Sequence, residues 1–366
     1  MRQATADRRI AVVVGTRPEI IKLAPVVRLL GPAGMLLHSG QHRDEELSGV
    51  FLAGAGISVA GQLSDICGEP RHAQIGRMIE QFGARFTARR PAAVVVQGDT
   101  NTASAAAQAA NCCGVPVVHV EAGLRSFDRA MPEEFNRCLI GVVADLHCAP
   151  TLRAAANLHA EQVPIERIAL TGNTIVEALL AMLPPERESL PIVTEYGLEP
   201  GSYVLTTIHR PENTDDPASL AMILDQLAKL GLPVLFTVHP RTALAVRRHG
   251  LQESLDRLRT VPPLDHRDFL ALARHARLIV SDSGGVQEEC TVLKRPMIVV
   301  RNSTERPESV EAGFAELVQP GPAIGETARR LIEDRELNER LAATPCPFGD
   351  GTASQRITAL LRRFLA

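Results

Sequence analysis

The sequence has no tryptophan, and Phe, Tyr and Trp together make up only 3% of its 366 residues. Proteins that bind single-stranded nucleic acid stack its bases on aromatic side chains, so this composition argues against such a surface. The formal net charge is -3, which provides no general attraction to DNA, RNA or anionic lipid. We therefore expect neither a nucleic-acid partner nor a membrane partner.

Paired cysteines and long apolar segments are also missing. The seven cysteines are odd in number and contain no C-x-x-C spacing of a zinc or redox site. No run of about 18 apolar residues is present, which is the length that a membrane-spanning helix requires. Residues 1–9 lack the apolar stretch of a secretory signal. We expect reduced thiols and a cytoplasmic protein.

The sequence does contain short β-branched runs that alternate with Ala- and Leu-rich helical patterns. The runs are apolar on both faces, which is typical of parallel strands covered by helices on both sides. The predicted strands are 12–14, 35–38, 93–96, 115–120, 203–208, 234–238, 278–280 and 297–300. Because the chain is longer than one core usually supports, the pattern predicts two Rossmann-like, doubly wound α/β domains facing a cleft.

A Pro-rich, charged segment at residues 183–191 separates the two sets of predicted strands. Such composition is typical of a linker between domains. We therefore expect an N-terminal domain over residues 1–183 and a C-terminal domain over 184–350. Residues 351–366 are expected to form a helix that packs back on the N-terminal domain.

The most informative segment is residues 281–289, where Gly284 and Gly285 follow an apolar strand and open a helical pattern. Glycines at such a turn let a ligand approach the backbone, and the free N–H groups and the helix dipole favour an anion. The same design follows Val14, where Gly15 and Arg17 open a second helical pattern. The two turns predict a diphosphate held from two sides.

Acidic residues follow two predicted strands of the N-terminal half, at Asp99 and Glu121, and Glu133 stands near the start of a predicted helix. Asp99 has a structural alternative as a turn residue, and Glu133 has one as a helix-start residue. Three carboxylates in one cleft would perturb each other's pKa values, which is costly unless they transfer protons. We therefore interpret the three as proton-handling groups.

Histidines and an arginine occupy corresponding places in the C-terminal half. His209 and His239 each follow a strand, where an imidazole can donate to phosphate, transfer a proton or serve only a structural purpose. Arg306 lies in the loop after the last predicted strand and can bind phosphate through two hydrogen bonds. Its acidic neighbours leave a surface ion pair as the alternative.

In their order along the chain, these motifs resemble the non-hydrolysing UDP-N-acetylglucosamine 2-epimerases. The matching pieces are residues 15–22, 40–43, 98–100, 119–125, 132–134, 171–174, 209–210, 282–289 and 304–308. The resemblance covers nearly the whole chain and implies a GT-B-like fold, a homodimer and no cofactor or metal. It also implies interconversion of UDP-GlcNAc and UDP-ManNAc for polysaccharide biosynthesis, by elimination of UDP to a glycal and re-addition.

The resemblance also assigns expected roles to individual residues. The catalytic set is Asp99, Glu121, Glu133 and His209. The set that contacts UDP is Arg17, Lys22, Phe269, Ser283, Gly284, Gly285, Glu289 and Arg306.

The sequence departs from this family at two places. Pro211 follows His209 and Arg210, where members activated by UDP-GlcNAc typically have a second arginine. Proline has no guanidinium, so we predict weak or absent activation. The vestigial effector site would comprise Gln41, His42, Arg43, Arg210 and His239. The second departure is His266, at a position where an aromatic residue is common.

Three alternatives remain open from the sequence. A GT-B glycosyltransferase would use the same nucleotide site but needs an acceptor groove and does not need three carboxylates. A hydrolysing 2-epimerase differs only in how well it excludes water. A non-catalytic UDP-sugar sensor would tolerate loss of the carboxylates.

Overall fold

The computed structural model describes residues 5–6, 9–41 and 57–366 of the chain. The described residues form two compact units. The first contains the residues up to Ala178 together with Phe348–Ala366, and the second is Leu179–Pro347. His42 and Arg43 of the predicted effector site lie outside the described residues.

The first unit is built on a parallel sheet. Its strands are β1 (Thr5–Ala6), β2 (Ile10–Val14), β3 (Gly34–His38), β4 (Val59–Gln62), β5 (Arg89–Arg90), β6 (Ala93–Gln97), β7 (Val117–Val120), β8 (Leu146–Ala149) and β9 (Ile168–Leu170). β1 pairs with β5, and the other seven form one sheet in the order β4-β3-β2-β6-β7-β8-β9. Its helices are α1 (Arg17–Leu30), α2 (Arg71–Ala88), α3 (Asn101–Cys112), α4 (Pro132–Val143), α5 (Leu152–Ala160) and α6 (Ile175–Met182), which crosses into the second unit.

The second unit contains a second parallel sheet. Its strands are β10 (Val204–Thr207), β11 (Val234–Thr237), β12 (Arg259–Val261), β13 (Leu278–Ser281), β14 (Met297–Val300) and β15 (Ala315–Val318), in the order β12-β11-β10-β13-β14-β15. Its helices are α7 (Glu186–Glu195), α8 (Pro211–Thr214), α9 (Pro217–Ala228), α10 (Pro240–His249), α11 (Gln252–Leu255), α12 (His266–His275), α13 (Gly284–Leu293), α14 (Pro307–Glu311), α15 (Ala323–Glu333) and α16 (Leu337–Ala343). The last helix, α17 (Ala353–Phe364), belongs to the first unit, where Ile357 and Leu361 are buried in a cluster with Val12 and Leu23.

The predicted pair of Rossmann-like sheets is confirmed, and each predicted segment contains a strand. The strands that were not predicted are β1, β4, β5, β8, β9, β12 and β15. Most of these lie at sheet edges, and β12 and β4 expose most of their residues, so they lack an apolar run on both faces. No helix in the described part of the chain has the length and apolar character needed to cross a membrane.

The Pro-rich segment at residues 183–191 is largely helical, although its composition is typical of a linker. Helix α7 begins at Glu186, directly after Pro185, and places Glu186 and Glu188 in its first turn, where acidic residues stabilise the helix dipole. Ile192 and Val193 of this helix are buried in the core of the second unit. Burial of these residues, downstream of the prolines, explains why the segment is ordered.

The order of the strands reverses at one place in each sheet, between β2 and β6 and between β10 and β13. In open parallel sheets, ligands bind at the carboxyl edge beside such a reversal. The residues that follow these four strands include Gly15, Asp99, His209 and Asp282. The topology therefore places the predicted motifs of each unit together at its own switch point.

Candidate functional site

Asp99 and Glu121 follow neighbouring strands of the first unit. β6 and β7 pair in parallel, with Gln97 opposite Val120. The Glu121 Oε1 atom lies 3.8 Å from the position that a Cβ atom would occupy at Gly98, the residue before Asp99. The structure therefore brings these two predicted carboxylates to adjacent loops of the same sheet edge.

Each of these carboxylates is paired with a buried cation. The Arg137 Nη2 and Nε atoms lie 2.6 and 2.9 Å from Asp99 Oδ2. The Lys22 Nζ atom lies 2.5 Å from Glu121 Oε2, which also accepts a hydrogen bond of 3.0 Å from the Asn173 side chain. The guanidinium and the ammonium fix the orientation of the acids and balance their charge. Lys22, which the resemblance assigned to UDP, thus contacts a carboxylate directly.

The backbone of Glu121 has a φ of +63°, in the left-handed region that few non-glycine residues adopt. Such a conformation costs of order 1–3 kcal/mol and persists where the surroundings enforce it, often at functional sites. The contacts with Lys22 and Asn173 hold the Glu121 side chain in place, although the backbone conformation of Glu121 is unfavourable. This geometry is consistent with a carboxylate placed for chemistry.

The two adjacent acids at the start of α4 have different environments. Glu133 is half-buried, whereas Glu134 is buried and accepts hydrogen bonds from the backbone N–H groups of Ser126 and Phe127, both at 3.0 Å. It also accepts one from Arg137 at 2.6 Å. Burial alone would raise the pKa of Glu134, but these donors outweigh it and lower the pKa. Glu134 therefore anchors the preceding loop and orients Arg137 towards Asp99, a contribution that the sequence analysis did not predict.

His119 in β7 is a second residue that the sequence analysis missed. Its buried Nε2 atom lies 2.8 Å from the carbonyl oxygen of Gly98, so Nε2 carries a hydrogen and donates it. Burial, followed by the neighbouring His147, lowers the pKa of His119 to about 3. A neutral imidazole therefore ties the loop that carries Asp99 to the strand that leads to Glu121.

Glu19 is a third missed residue, although the Thr16-x-x-Glu19 spacing is the signature of a helix capping box. Its side chain has no exposed surface. One carboxylate oxygen accepts hydrogen bonds from the backbone N–H groups of Gly15 and Thr16, at 2.9 and 2.8 Å, and the other accepts one from Thr100 Oγ1 at 2.6 Å. Burial raises the pKa of Glu19 to about 7, although these hydrogen bonds lower it. Glu19 thus connects the Gly15 turn with the residue after Asp99.

Glu19 should make the stability of the protein depend on pH. Its pKa is about 7 in the folded state and 4.5 as the reference value for the unfolded chain. The contribution of Glu19 to the free energy of unfolding is therefore fully present below pH 4.5 and is lost as the pH rises through 7. The total loss is about 3 kcal/mol. We expect Glu19→Gln, which cannot ionise, to lack this loss. Urea unfolding of both proteins at pH 5 and pH 8 measures it, and parallel pH profiles would contradict the assignment.

In the second unit, Gly284 and Gly285 form the first turn of α13, and Ser283 precedes it as the N-cap residue. A Cβ atom at Gly284 would lie 2.8 Å from Glu305 Oε1 and 3.0 Å from Arg306 Nη1, so glycine is required there for close approach. The first N–H groups of a helix have no intrahelical acceptor. The structure thus brings Arg306 to a turn whose amides are suited to an anion.

Arg306 belongs to a buried network of charges. It contacts Glu288 Oε1 through Nε at 2.8 Å and Glu305 through Nη1, while the second oxygen of Glu305 accepts a hydrogen bond of 2.9 Å from Arg301. All four side chains are buried. From the sequence, a surface ion pair remained an alternative for Arg306. The structure shows an ion pair that is buried instead, so the guanidinium has a fixed orientation beside the glycine turn.

Glu289 and His266 contact each other in the second unit. The His266 Nε2 atom lies 2.9 Å from Glu289 Oε1, while Glu289 Oε2 and His266 Nδ1 are buried without a hydrogen-bond partner in the described part of the chain. His266, the second departure from the family pattern, therefore contacts Glu289, which is a predicted nucleotide-binding residue. Phe269, from the same helix as His266, is half-buried against the core. One carboxylate oxygen of Glu289 thus has no hydrogen-bond partner among the described residues.

His209 lies between Asp282 and His239. Its Nδ1 atom is 3.1 Å from Asp282 Oδ1, and its ring packs against that of His239 with 5.2 Å between centroids and an angle of 37° between the ring planes. The side chain of His209 is 31% exposed, so it can reach a ligand. Arg17, the remaining predicted contact, is half-buried at the start of α1 in the first unit.

The described members of the predicted effector site are divided between the two units. The Gln41 side-chain oxygen accepts hydrogen bonds from the backbone N–H and hydroxyl groups of Thr102, at 2.9 and 2.7 Å, and thereby caps α3. Arg210 and His239 belong to the second unit, beside His209. Gln41 therefore stabilises the start of α3 within the first unit, whether or not an effector binds.

The fold and these groups define a GT-B-like α/β protein that has ion-paired carboxylates at the edge of its first sheet and a glycine turn at a helix N-terminus beside its second sheet. A family model described as UDP-N-acetylglucosamine 2-epimerase matches residues 33–362. The UDP-N-acetylglucosamine 2-epimerase of Methanocaldococcus jannaschii is 35% identical, over 96% of this chain and 98% of that protein. The chain belongs to this family, the non-hydrolysing UDP-N-acetylglucosamine 2-epimerases, which are isomerases. The resemblance seen in the sequence is thereby confirmed.

Two further comparisons bear on the fold and on the substrate. The crystal structure of the M. jannaschii enzyme in complex with UDP-GlcNAc and UDP superposes with a TM-score of 0.87 at 34% identity, covering 97% of this chain and 99% of that one. The UDP-2,3-diacetamido-2,3-dideoxy-D-glucuronate 2-epimerase of Pseudomonas aeruginosa is 32% identical over 97% of this chain and 99% of that protein. Members at similar distances from this chain are thus named for different UDP-sugars.

Proposed function

We propose that the protein interconverts UDP-GlcNAc and UDP-ManNAc by anti elimination of UDP to a glycal intermediate and re-addition of UDP. The observation that carries this proposal is the pair of cation-paired carboxylates, Asp99 and Glu121, in adjacent loops at the carboxyl edge of the first sheet. UDP-GlcNAc is favoured because it is bound in the superposed M. jannaschii structure.

The reaction explains why two carboxylates and a site for the leaving group are needed. The C2–H bond of the sugar is not acidic, because no carbonyl group is adjacent to it. Departure of UDP with the C1–O electron pair gives C1 cationic character and acidifies C2–H. A carboxylate then takes the proton, the C1=C2 double bond forms, and a second acid returns a proton to the opposite face before UDP adds again at C1.

The proposed residues form two sets. Asp99 and Glu121 handle the protons, with Glu133 in the first turn of α4 as a further acid. A second set binds the departing nucleotide and stabilises its charge. That set comprises Arg17, Lys22, His209, Phe269, Ser283, Gly284, Gly285, Glu289 and Arg306.

Proton NMR of the wild-type protein in deuterated water tests this function. With UDP-GlcNAc or UDP-ManNAc, we expect deuterium to enter C2 and the other epimer to appear. Transfer of the sugar to an acceptor without C2 exchange would support a glycosyltransferase, and release of free ManNAc would support a hydrolysing enzyme. Absence of exchange with any UDP-hexosamine would exclude the proposal.

We expect turnover without an effector. Pro211 forms the first residue of α8, and its side chain has no group that binds a second sugar nucleotide. UDP-ManNAc alone, freed of UDP-GlcNAc by enzymatic pretreatment, should be converted without a lag. A lag that trace UDP-GlcNAc abolishes would contradict this prediction.

We infer that the protein forms a homodimer through the outer face of α4. Phe135, Leu139 and Val142 recur at helical spacing on this helix, and their side chains are 43%, 48% and 84% exposed. A contiguous apolar helix face of this kind is typical of a protein interface. Light scattering after gel filtration measures the mass, and a monomer at micromolar concentration would contradict the inference.

A further inference from the structure

Asp282 is a buried carboxylate surrounded by N–H donors. It follows β13 directly, precedes the glycine turn and has no exposed surface. Its oxygens accept hydrogen bonds from the backbone N–H groups of His209, at 2.9 Å, and Arg210, at 2.8 Å, and from the Asn213 side chain at 3.0 Å. The His209 Nδ1 atom is the fourth partner, 3.1 Å from Oδ1.

These donors keep Asp282 ionised. Burial alone would raise its pKa, but the hydrogen bonds from His209, Arg210 and Asn213 outweigh burial and lower the pKa. An ionised carboxylate can only accept hydrogen bonds. The Nδ1 atom of His209 must therefore carry a hydrogen, whatever the charge on the ring.

The position of this hydrogen determines what the other ring nitrogen can do. If Nδ1 carries the hydrogen in the neutral ring, then Nε2 has a free lone pair and can take up a proton. A ring that carries a hydrogen on both nitrogens is a cation, and it donates through Nδ1 to Asp282 and through Nε2 to an acceptor. His239 does not compete for this charge, because burial, followed by the adjacent His209, lowers the pKa of His239.

We propose that Asp282 is a positioning residue that fixes the Nδ1–H tautomer of His209 and makes His209 a cationic Nε2 donor to the oxygen of the departing diphosphate. The inference rests on the proposed function, because the departing group is UDP. Asp282 touches neither the sugar nor the nucleotide in this scheme. It acts through the orientation and the charge of the imidazole, as the acid of a catalytic triad does.

Asp282→Asn tests this role with almost no change in side-chain shape. The position of Oδ2 is surrounded by three N–H groups, so the single oxygen of asparagine should occupy it and direct its NH₂ group at His209 Nδ1. His209 must then accept at Nδ1 and carry its hydrogen on Nε2 in the neutral ring. Nitrogen NMR of protein labelled with ¹⁵N-histidine reports the tautomer directly, and His209→Gln identifies the signal.

We expect the wild-type signal of His209 to show Nδ1–H and the Asp282→Asn signal to show Nε2–H. The variant should lose about 10²- to 10⁴-fold in kcat, with a much smaller change in KM. The matched control is Thr242→Val, which removes a buried hydrogen bond to the carbonyl of Ile208 in the same loop but leaves the contact between Asp282 and His209 intact. Its kcat should remain within several-fold of the wild-type value.

The possible failures are distinguishable. A wild-type His209 with an unprotonated Nδ1 overturns the inference, whether or not the protein turns over UDP-GlcNAc. A folded Asp282→Asn variant whose kcat stays within several-fold of the wild-type value also overturns the inference. If wild-type protein shows no C2 exchange, the proposed function fails, while the tautomer measurement still decides whether Asp282 fixes His209.

Discussion

Asp99→Asn and Glu121→Gln are each expected to lower the rate of epimerisation, and of C2 hydrogen exchange from at least one of the two epimers, by about 10²- to 10⁴-fold, the usual contribution of a positioned acid or base. The amides preserve the size of the side chains but cannot take a proton from C2. Asparagine at position 99 can still accept one hydrogen bond from Arg137, so the fold should persist. NMR in deuterated water, started separately from UDP-GlcNAc and from UDP-ManNAc, measures the effect.

The two starting sugars also assign the faces of the ring. If Asp99 takes the proton from only one epimer, Asp99→Asn should lose exchange from that epimer while Glu121 still exchanges the other without inverting it. Glu121→Gln should show the opposite pattern. The control is Glu80→Gln, which alters an exposed carboxylate on α2 of the same unit. If both variants kept exchange from both epimers within tenfold of wild type, these acids would not be the proton-handling groups.

Glu305→Gln is expected to reduce the free energy of unfolding by about 3–5 kcal/mol, the usual cost of removing one partner from a buried ion pair. One oxygen of Glu305 accepts from Arg306 and the other from Arg301. Glutamine must direct its NH₂ group at one of these guanidinium groups, both of which are buried. Urea unfolding followed by circular dichroism measures the loss.

The matched control for this prediction is Glu316→Gln. Glu316 pairs with Arg330 at the surface of the same unit, where the side chains are 39% and 60% exposed. Exposed pairs contribute about 0–1 kcal/mol, because water solvates either partner alone. Equal losses for the two variants would show that burial does not decide the strength of the Arg306 network. The Glu305 variant should also bind UDP more weakly, because Arg306 loses its orientation beside Gly284.

The sequence predicted the fold well where the physical signal is local. Strands such as β2 and β13 are continuous apolar runs, and they were found because both of their faces are buried. Edge strands such as β12 were missed because exposure removes that signal. In α7, the proline-rich composition concealed a helix whose buried residues are few.

The candidate site was only partly visible in the sequence. Asp99, Glu121 and Arg306 stood out because each follows a strand beside a glycine turn or other acids. His119 and Arg137 did not stand out, since a lone histidine in a strand and an arginine in a helix have many structural explanations. Glu19 was detectable through its capping-box spacing, but nothing in the spacing indicates that it also contacts Thr100.

The sequence by itself determined the α/β class, the two glycine turns and the family, because these depend on patterns within a few residues and on their order along the chain. Only the tertiary structure decided which charges meet. Lys22 and Glu121 are 99 positions apart, and His209 and Asp282 are 73 apart. The order of the strands in each sheet brings such residues within hydrogen-bonding distance, and that order depends on how the whole chain packs.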